Sequence, residues 1–133
     1  METASAGHAA ALWVALHLVL LLTLSVLVVR LRQQHKVALG DDDIPELARA
    51  VRAFGNASEY IPAGLAALIV LALLEAPPLA VHVVGITLFA GRLVHAIGLS
   101  TSGGASVWRA IGIVLTWLAY IFATAALLFY AIA

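Results

Sequence analysis

The sequence has no cysteine and few charged residues. Among 133 residues, Lys, Arg, Asp and Glu together make up 11%, whereas an ordinary soluble domain carries about 25%. Without cysteine, the protein itself supplies no disulfide, no thiolate nucleophile and no Cys-based metal site. The formal net charge is zero, so the charge balance does not predict nucleic acid as a partner. So few charges cannot cover a water-soluble surface, which predicts a surface that faces lipid.

Apolar residues are what the chain has in excess, at 64% of the total. A helix that crosses a bilayer needs about 20 mostly apolar residues. Four segments meet this need, and they lack the alternation of β-barrel strands. The sequence therefore predicts an all-α membrane protein, a single domain over residues 1–133 that folds as an up-down bundle of four transmembrane helices. The predicted helices cover residues 9–36, 44–75, 77–99 and 105–132.

The breaks between the predicted helices have local causes. Asp43, followed by Pro45 and Glu46, is typical of a capped helix start. The pair Pro77-Pro78 predicts a tight turn, since proline is tolerated in the first turn of a helix but not in its interior. A stretch with two adjacent glycines, residues 100–106, is predicted to be the third loop.

The basic residues predict the orientation in the membrane. All seven fall on the side of the first and third loops, and the opposite side, with both termini, carries none. They are Arg30, Arg32, Lys36, Arg49, Arg52, Arg92 and Arg109. Because basic residues are retained in the cytoplasm, we expect loops 1 and 3 inside and both termini outside. The first helix is not expected to be a cleaved signal peptide, because its positive charges follow the apolar run.

The second predicted helix carries a polar face at a depth where lipid is expected. Arg49, Arg52, Asn56 and Glu59 are three or four residues apart and so fall in a stripe about 80° wide. Tyr60 lies beside them. Such a stripe points into a bundle, a subunit interface or a water-filled cavity, and ionisable residues there are candidates for function. The alternative is a structural ion pair of Glu59 with Arg52 or with an arginine of the third helix.

The third predicted helix brings further polar groups to the same side. Arg92, His95 and Leu99 share a face, and the glycines at 91 and 98 allow close approach of another helix or a ligand. With Arg109, several guanidiniums would surround one carboxylate and one amide. That mixture suits a small ligand with several negative charges and an ammonium, such as a γ-glutamyl peptide. No metal site is expected. Trp117 and Tyr120 are expected to be packing residues.

Three motifs in order resemble those of the MAPEG family, the membrane-associated proteins in eicosanoid and glutathione metabolism. Arg52-x-x-x-Asn56-x-x-Glu59-Tyr60-x-Pro62 is similar to the family's second-helix signature. Upstream, Val29-Arg30-Leu31-Arg32 resembles the basic end of its first helix. Downstream, Gly91-Arg92-x-x-His95-x-x-Gly98 resembles its third-helix motif in the bacterial form. The resemblance covers nearly the whole chain.

The resemblance implies a homotrimer in a bacterial inner membrane that uses glutathione as a co-substrate between neighbouring subunits. The implied contact residues are Arg30, Arg32, Arg52, Asn56, Glu59, Tyr60 and Arg92, and the pocket reasoning adds Arg49 and His95. Family enzymes use an arginine near the start of the fourth helix to stabilise the thiolate, and Arg109 is the candidate here. His95 stands where eicosanoid synthases have tyrosine, so eicosanoid chemistry is not expected.

These features predict a glutathione transferase or peroxidase that acts on hydrophobic small molecules dissolved in membrane lipid. One alternative is a protein of this family that binds glutathione or lipid without catalysis. Another is a small proton-coupled transporter that uses the carboxylate at position 59. A transporter of that kind would be expected to have a carboxylate, not a stripe of arginines, as its main intramembrane polar feature.

Overall fold

A computed structural model describes residues 5–133, which form four long α-helices. Helix α1 spans Ala6–His35, α2 spans Pro45–Leu73, α3 spans Pro78–Thr101 and α4 spans Val107–Ile132. The predicted all-α architecture is confirmed. The observed helix ends lie within a few residues of the predicted ones, and the largest difference is that α1 begins at Ala6.

Each of the four helices is long and apolar enough to cross a membrane. The shortest, α3, has 24 residues, which at 1.5 Å per residue gives about 36 Å, enough for a hydrocarbon layer of about 30 Å. Large apolar side chains on the outside of the bundle are exposed, including Leu18, Ile86, Ile121 and Phe129. Lipid contact accounts for that exposure, so the chain is an integral membrane protein.

The helix starts depend on proline and serine. Pro45 and Pro78 are the first residues of α2 and α3. The prediction of Asp43 as a cap is wrong, because Ile44 precedes α2 and no side chain caps that end. Instead Asp43 has φ 56°, and its N–H donates to the Asp41 carboxylate at 3.2 Å. At α4, the Ser106 hydroxyl accepts from an N–H in the first turn.

Helices α2 and α3 occupy the middle of the bundle, and both α1 and α4 pack against them. Two buried apolar clusters fill the space between the helices, one towards each end. The cluster at the end with the α2–α3 turn includes Trp13, Leu68, Val81 and Ala123. The other includes Leu24, Ala53, Ile61 and Leu99. We call the second end the basic end, because the predicted loops 1 and 3 and the basic residues belong to it.

The contact between α3 and α4 depends on glycine. A Cβ at Gly91 would lie 2.8 Å from the backbone nitrogen of Thr116, and one at Gly98 would lie 2.8 Å from that of Arg109. On the α4 side, a Cβ at Gly112 would lie 2.5 Å from the backbone nitrogen of His95. Close approach at small residues is a common way to pack helices in lipid, where no hydrophobic effect drives helices together.

We expect Gly112→Ala to destabilise the bundle, because the new methyl group meets backbone atoms of α3 that cannot move independently. A loss of about 1–3 kcal/mol is typical of such overpacking. The measurement is the midpoint of thermal unfolding of the purified protein in detergent, followed by circular dichroism.

Gly55→Ala is the matched control, since it is the same change in a helix and its Cβ meets only a side-chain nitrogen at 3.6 Å. This variant should unfold at or above the temperature of the original protein, because alanine favours a helix more than glycine does. Equal midpoints for the two variants would contradict the glycine-dependent crossing.

Candidate functional site

The polar face of α2 contains an ion pair. This face is formed by Arg49, Arg52, Asn56, Glu59 and Tyr60. The guanidinium of Arg52 donates two hydrogen bonds to the Glu59 carboxylate, at 3.0 and 3.1 Å. The side chains remain 56% and 53% exposed, respectively. The predicted ion pair therefore exists, and it leaves both groups open to a further partner. A paired carboxylate and guanidinium that are both accessible can receive an ammonium and a carboxylate of a ligand.

Arg92 is a deeply buried polar side chain beside this face. It is 1% exposed, and its Nη1 donates to the Asn56 side-chain oxygen at 2.7 Å. Its Nε donates to the Thr116 hydroxyl at 2.8 Å. Its guanidinium carbon lies 4.8 Å from the ring centre of Tyr60, a distance typical of a cation–π contact. One side chain of α3 thus binds α2 and α4 at the same level of the bundle.

The burial of Arg92 means that it acts on a ligand through the residues that it contacts. The structure places its guanidinium inside the bundle, where its Nη2 has no hydrogen-bond partner among residues 5–133. Because Arg92 occupies the Asn56 oxygen, the amide nitrogen of Asn56 is the group left for another acceptor. Arg92 therefore fixes the orientation of Asn56 and Tyr60, which are closer to the surface.

Two residues of α4 belong to this network and were missed by the sequence analysis. Thr116 accepts from Arg92 and donates to the Gly112 carbonyl at 2.8 Å. Tyr120 was expected to be a packing residue, but its hydroxyl donates to the Tyr60 carbonyl. Both lie one turn apart on the face of α4 towards α2 and α3. Because a threonine or tyrosine is common in an apolar span, nothing in the sequence marks these two.

A cleft at the basic end brings together three arginines. It has a volume of about 320 Å³ and lies where α2 begins, α3 ends and α4 begins. We call it the arginine cleft, since Arg49, Arg52 and Arg109 contribute its charged groups. Its other lining residues are Pro45, Ala48, Leu99, Ser102 and Gly103. No acidic side chain lines it in the described part of the chain, so it is a concave surface suited to anions.

Arg109 is held in place from two sides. Its Nη1 donates to the Gly104 carbonyl of the preceding loop at 2.5 Å. The Nδ1 of the buried His95 lies 2.8 Å from the Arg109 carbonyl oxygen and donates to it. His95 therefore connects the end of α3 to the first turn of α4 and does not line the cleft. The structure assigns it a positioning role, and the sequence prediction of a direct contact remains a prediction.

The arginines at the end of α1 lie apart from the cleft. Arg32 lines a different hollow, together with other residues of α1 and the following loop. Arg30 is exposed and lines neither. Within one chain the structure thus brings Arg49, Arg52 and Arg109 together but leaves out Arg30 and Arg32.

We expect Thr116→Val to destabilise the bundle, because it removes an acceptor from the buried Arg92 cation without changing the shape of the side chain. Loss of a hydrogen bond to a charged group costs about 1.5–3 kcal/mol. The measurement is the thermal unfolding midpoint in detergent. Thr124→Val, the same change at an exposed position of α4, is the control and should leave the midpoint unchanged. A Thr116→Val protein as stable as the control would show that the Arg92 network contributes little.

Known proteins are similar in sequence to this chain over nearly its whole length. The profile of the MAPEG family matches residues 10–129, which include all three sequence motifs. The chain is 40% identical over 120 residues to inner membrane protein YecN of Escherichia coli K12, a match that covers 90% of each chain. YecN of Escherichia coli O6:H1 is similar to the same extent. A match over nearly the whole length, with four apolar helices in the expected order, shows that this integral inner-membrane protein belongs to the MAPEG family.

Proposed function

We propose that the protein is a membrane-bound glutathione transferase or peroxidase. The observation that carries the proposal is the convergence of Arg49, Arg52 and Arg109 on one cleft, beside an exposed carboxylate at position 59. Glutathione has two carboxylates, one ammonium, two amide groups and a thiol. Guanidiniums bind carboxylates through paired hydrogen bonds, and a carboxylate binds an ammonium.

The donor set of the site fits glutathione group by group. Arg49 and Arg52 would hold its carboxylates, and Glu59 would hold its ammonium. The free amide nitrogen of Asn56, oriented by Arg92, would donate to a carbonyl oxygen. The backbone carbonyl of Tyr60 already accepts a hydrogen bond from Tyr120. The group that Tyr60 would offer to glutathione is therefore its side-chain hydroxyl.

We further propose that the site is completed in a homotrimer. Glu59 lies 14 residues before α2 ends at Leu73, about 21 Å along the helix axis. An ion pair more than half exposed at that depth is costly against lipid. A second copy of the chain would cover it and would supply the predicted contact of Arg30, which lies outside the cleft of its own chain.

The orientation proposed from the basic residues gives the two reactants separate routes. With the basic end in the cytoplasm, glutathione reaches the arginine cleft from water. A hydrophobic electrophile or peroxide reaches the same level from the lipid between the helices. Glutathione supplies the nucleophilic thiol, and a cation near the sulfur favours the reactive thiolate form. Arg109 would provide that cation; its guanidinium donates to the Gly104 carbonyl, and its backbone carbonyl accepts from His95.

We expect Glu59→Gln to weaken glutathione binding by about 10- to 100-fold. The change removes a charge-assisted contact worth about 1.5–3 kcal/mol, and each 1.4 kcal/mol corresponds to a factor of ten. Isothermal titration calorimetry in detergent measures the dissociation constant. Glu75→Gln, the same change in the turn at the opposite end, should bind glutathione like the original protein. Unchanged affinity in both variants would remove position 59 from the site.

We expect Arg109→Gln to retain glutathione binding but to lose turnover of a reactive aryl halide. Removal of one group that stabilises a developing anion typically lowers kcat by about 100- to 1000-fold. The ultraviolet absorbance of the bound thiolate should disappear in parallel.

The control for this experiment replaces glutathione by an analogue. S-methyl glutathione, which has no ionisable thiol, should bind equally to the original protein and to Arg109→Gln. Binding of glutathione without thiolate absorbance or turnover in the original protein would instead support the non-catalytic alternative. Absence of glutathione binding would reject the proposed function as a whole.

A further inference from the structure

A second basic concavity lies at the end of α1, away from the arginine cleft. It has a volume of about 370 Å³ and is lined by Val29, Arg32, Gln33, Lys36, Val37 and Ala38. We call it the α1 hollow. None of these residues lines the arginine cleft. It exists because the chain reverses at Lys36, whose φ of 57° ends the helix, and because the N–H of Val37 bonds back to the Arg32 carbonyl at 3.0 Å.

The depth of the α1 hollow corresponds to the level of lipid headgroups. The apolar run of α1 ends at Val29. Arg32 and Lys36 lie three and seven residues further, which is about 4.5 and 10 Å along the axis. The headgroup region of a bilayer extends over about 5–8 Å beyond the hydrocarbon on each side. A phosphate at that level would meet Arg32 of the last helical turn and Lys36, the first residue after the helix, which line the same hollow.

An apolar strip leads from the hollow towards the middle of the membrane. Leu22, Val26 and Val29 follow the helical repeat that continues to Arg32, Gln33 and Lys36. Leu22 is 65% exposed and Val29 is 50% exposed. The strip and the hollow together have the outline of a phospholipid, with a chain along the helix and a charged group at its end.

The charges at the hollow favour an anion. The end of a helix carries about half a negative charge, which the side chains of Arg32 and Lys36 outweigh. No acidic residue lines the hollow in the part of the chain that the structure describes. Glu46, at the start of α2, contacts His35 instead. Arg32 also has no hydrogen-bond partner for its buried nitrogen Nη1 among residues 5–133, so no acidic group of the described chain neutralises it through that nitrogen.

We propose that the α1 hollow binds the headgroup of an anionic phospholipid. Its phosphate lies between Arg32 and Lys36, Gln33 donates to the polar group beyond the phosphate, and one acyl chain follows Val29 towards Leu22. The site is separate from the glutathione site and does not depend on the proposed catalytic function. It gives Arg32 a different ligand from the one that the family motif implies.

The test compares lipids on the delipidated protein in detergent, in buffer without glutathione. Dioctanoyl phosphatidylglycerol and dioctanoyl phosphatidylcholine are titrated separately, and native mass spectrometry counts the bound molecules. We expect the original protein to bind the anionic lipid at least tenfold more tightly. Arg32→Gln should lower that affinity about fivefold or more, because one basic group near a membrane surface contributes about 1 kcal/mol.

Arg30→Gln is the matched control, since it removes the same charge two residues away from a side chain that does not line the hollow. It should lower the affinity for phosphatidylglycerol by less than twofold. Equal losses in Arg30→Gln and Arg32→Gln would show a diffuse attraction to the basic end and would overturn a defined site. Lys36→Gln, which should weaken binding as Arg32→Gln does, provides a second test if Arg32→Gln does not fold.

Three further outcomes would overturn the proposal. Equal affinity for phosphatidylglycerol and phosphatidylcholine would exclude selection by charge. Glycerol 3-phosphate that binds as tightly as the lipid would identify a site for a soluble phosphate. If Arg32→Gln weakened glutathione binding and left lipid binding intact, Arg32 would belong to the glutathione site and not to a lipid site.

Discussion

A guanidinium inside a bundle of apolar helices has to find hydrogen-bond acceptors within the protein, and Arg92 meets this constraint by binding three helices together. Its acceptors are the Asn56 amide on α2 and the Thr116 hydroxyl on α4, and the ring of Tyr60 covers it. Because an unsatisfied charge in such surroundings is very unfavourable, the bundle is stable only when these groups meet at one level. That requirement fixes the rotation of α2 and so decides which of its polar groups face outwards.

The close crossing of α3 and α4 is the second condition for the site. The glycines at the crossing bring the two backbones near enough for Arg92 to reach Thr116 and for His95 to reach the Arg109 carbonyl. In this way the catalytic candidate, Arg109, is positioned by residues that do not touch the cleft themselves. The close packing of glycines is therefore also what positions Arg109. A looser crossing would lose both the Arg92–Thr116 and the His95–Arg109 hydrogen bonds.

The chain has an outer surface of two kinds. Most of the surface is apolar and suits lipid, but the Arg52–Glu59 pair is exposed on α2 at membrane depth. The proposed trimer would bury this pair against another copy. The proposed lipid site lies elsewhere at the basic end, where α1 stops and its last basic side chains reach the headgroup level. Both proposals follow from the same asymmetry, because every basic residue belongs to that end.

The sequence by itself determined the four helices, their approximate ends, the family and the polar face of α2. These depend on local properties: the length of an apolar run, proline at a helix start and the spacing of Arg52, Asn56 and Glu59 along one helix. Tertiary structure decided which arginines share a cleft, since Arg109 is far in sequence from Arg49 and Arg52, whereas Arg32, which is nearer to them in sequence, lies elsewhere. It also decided that Arg92 is buried and that Thr116 and Tyr120 are its neighbours. The angles at which helices cross and rotate depend on contacts between distant residues, and the spacing of residues within one helix does not specify them.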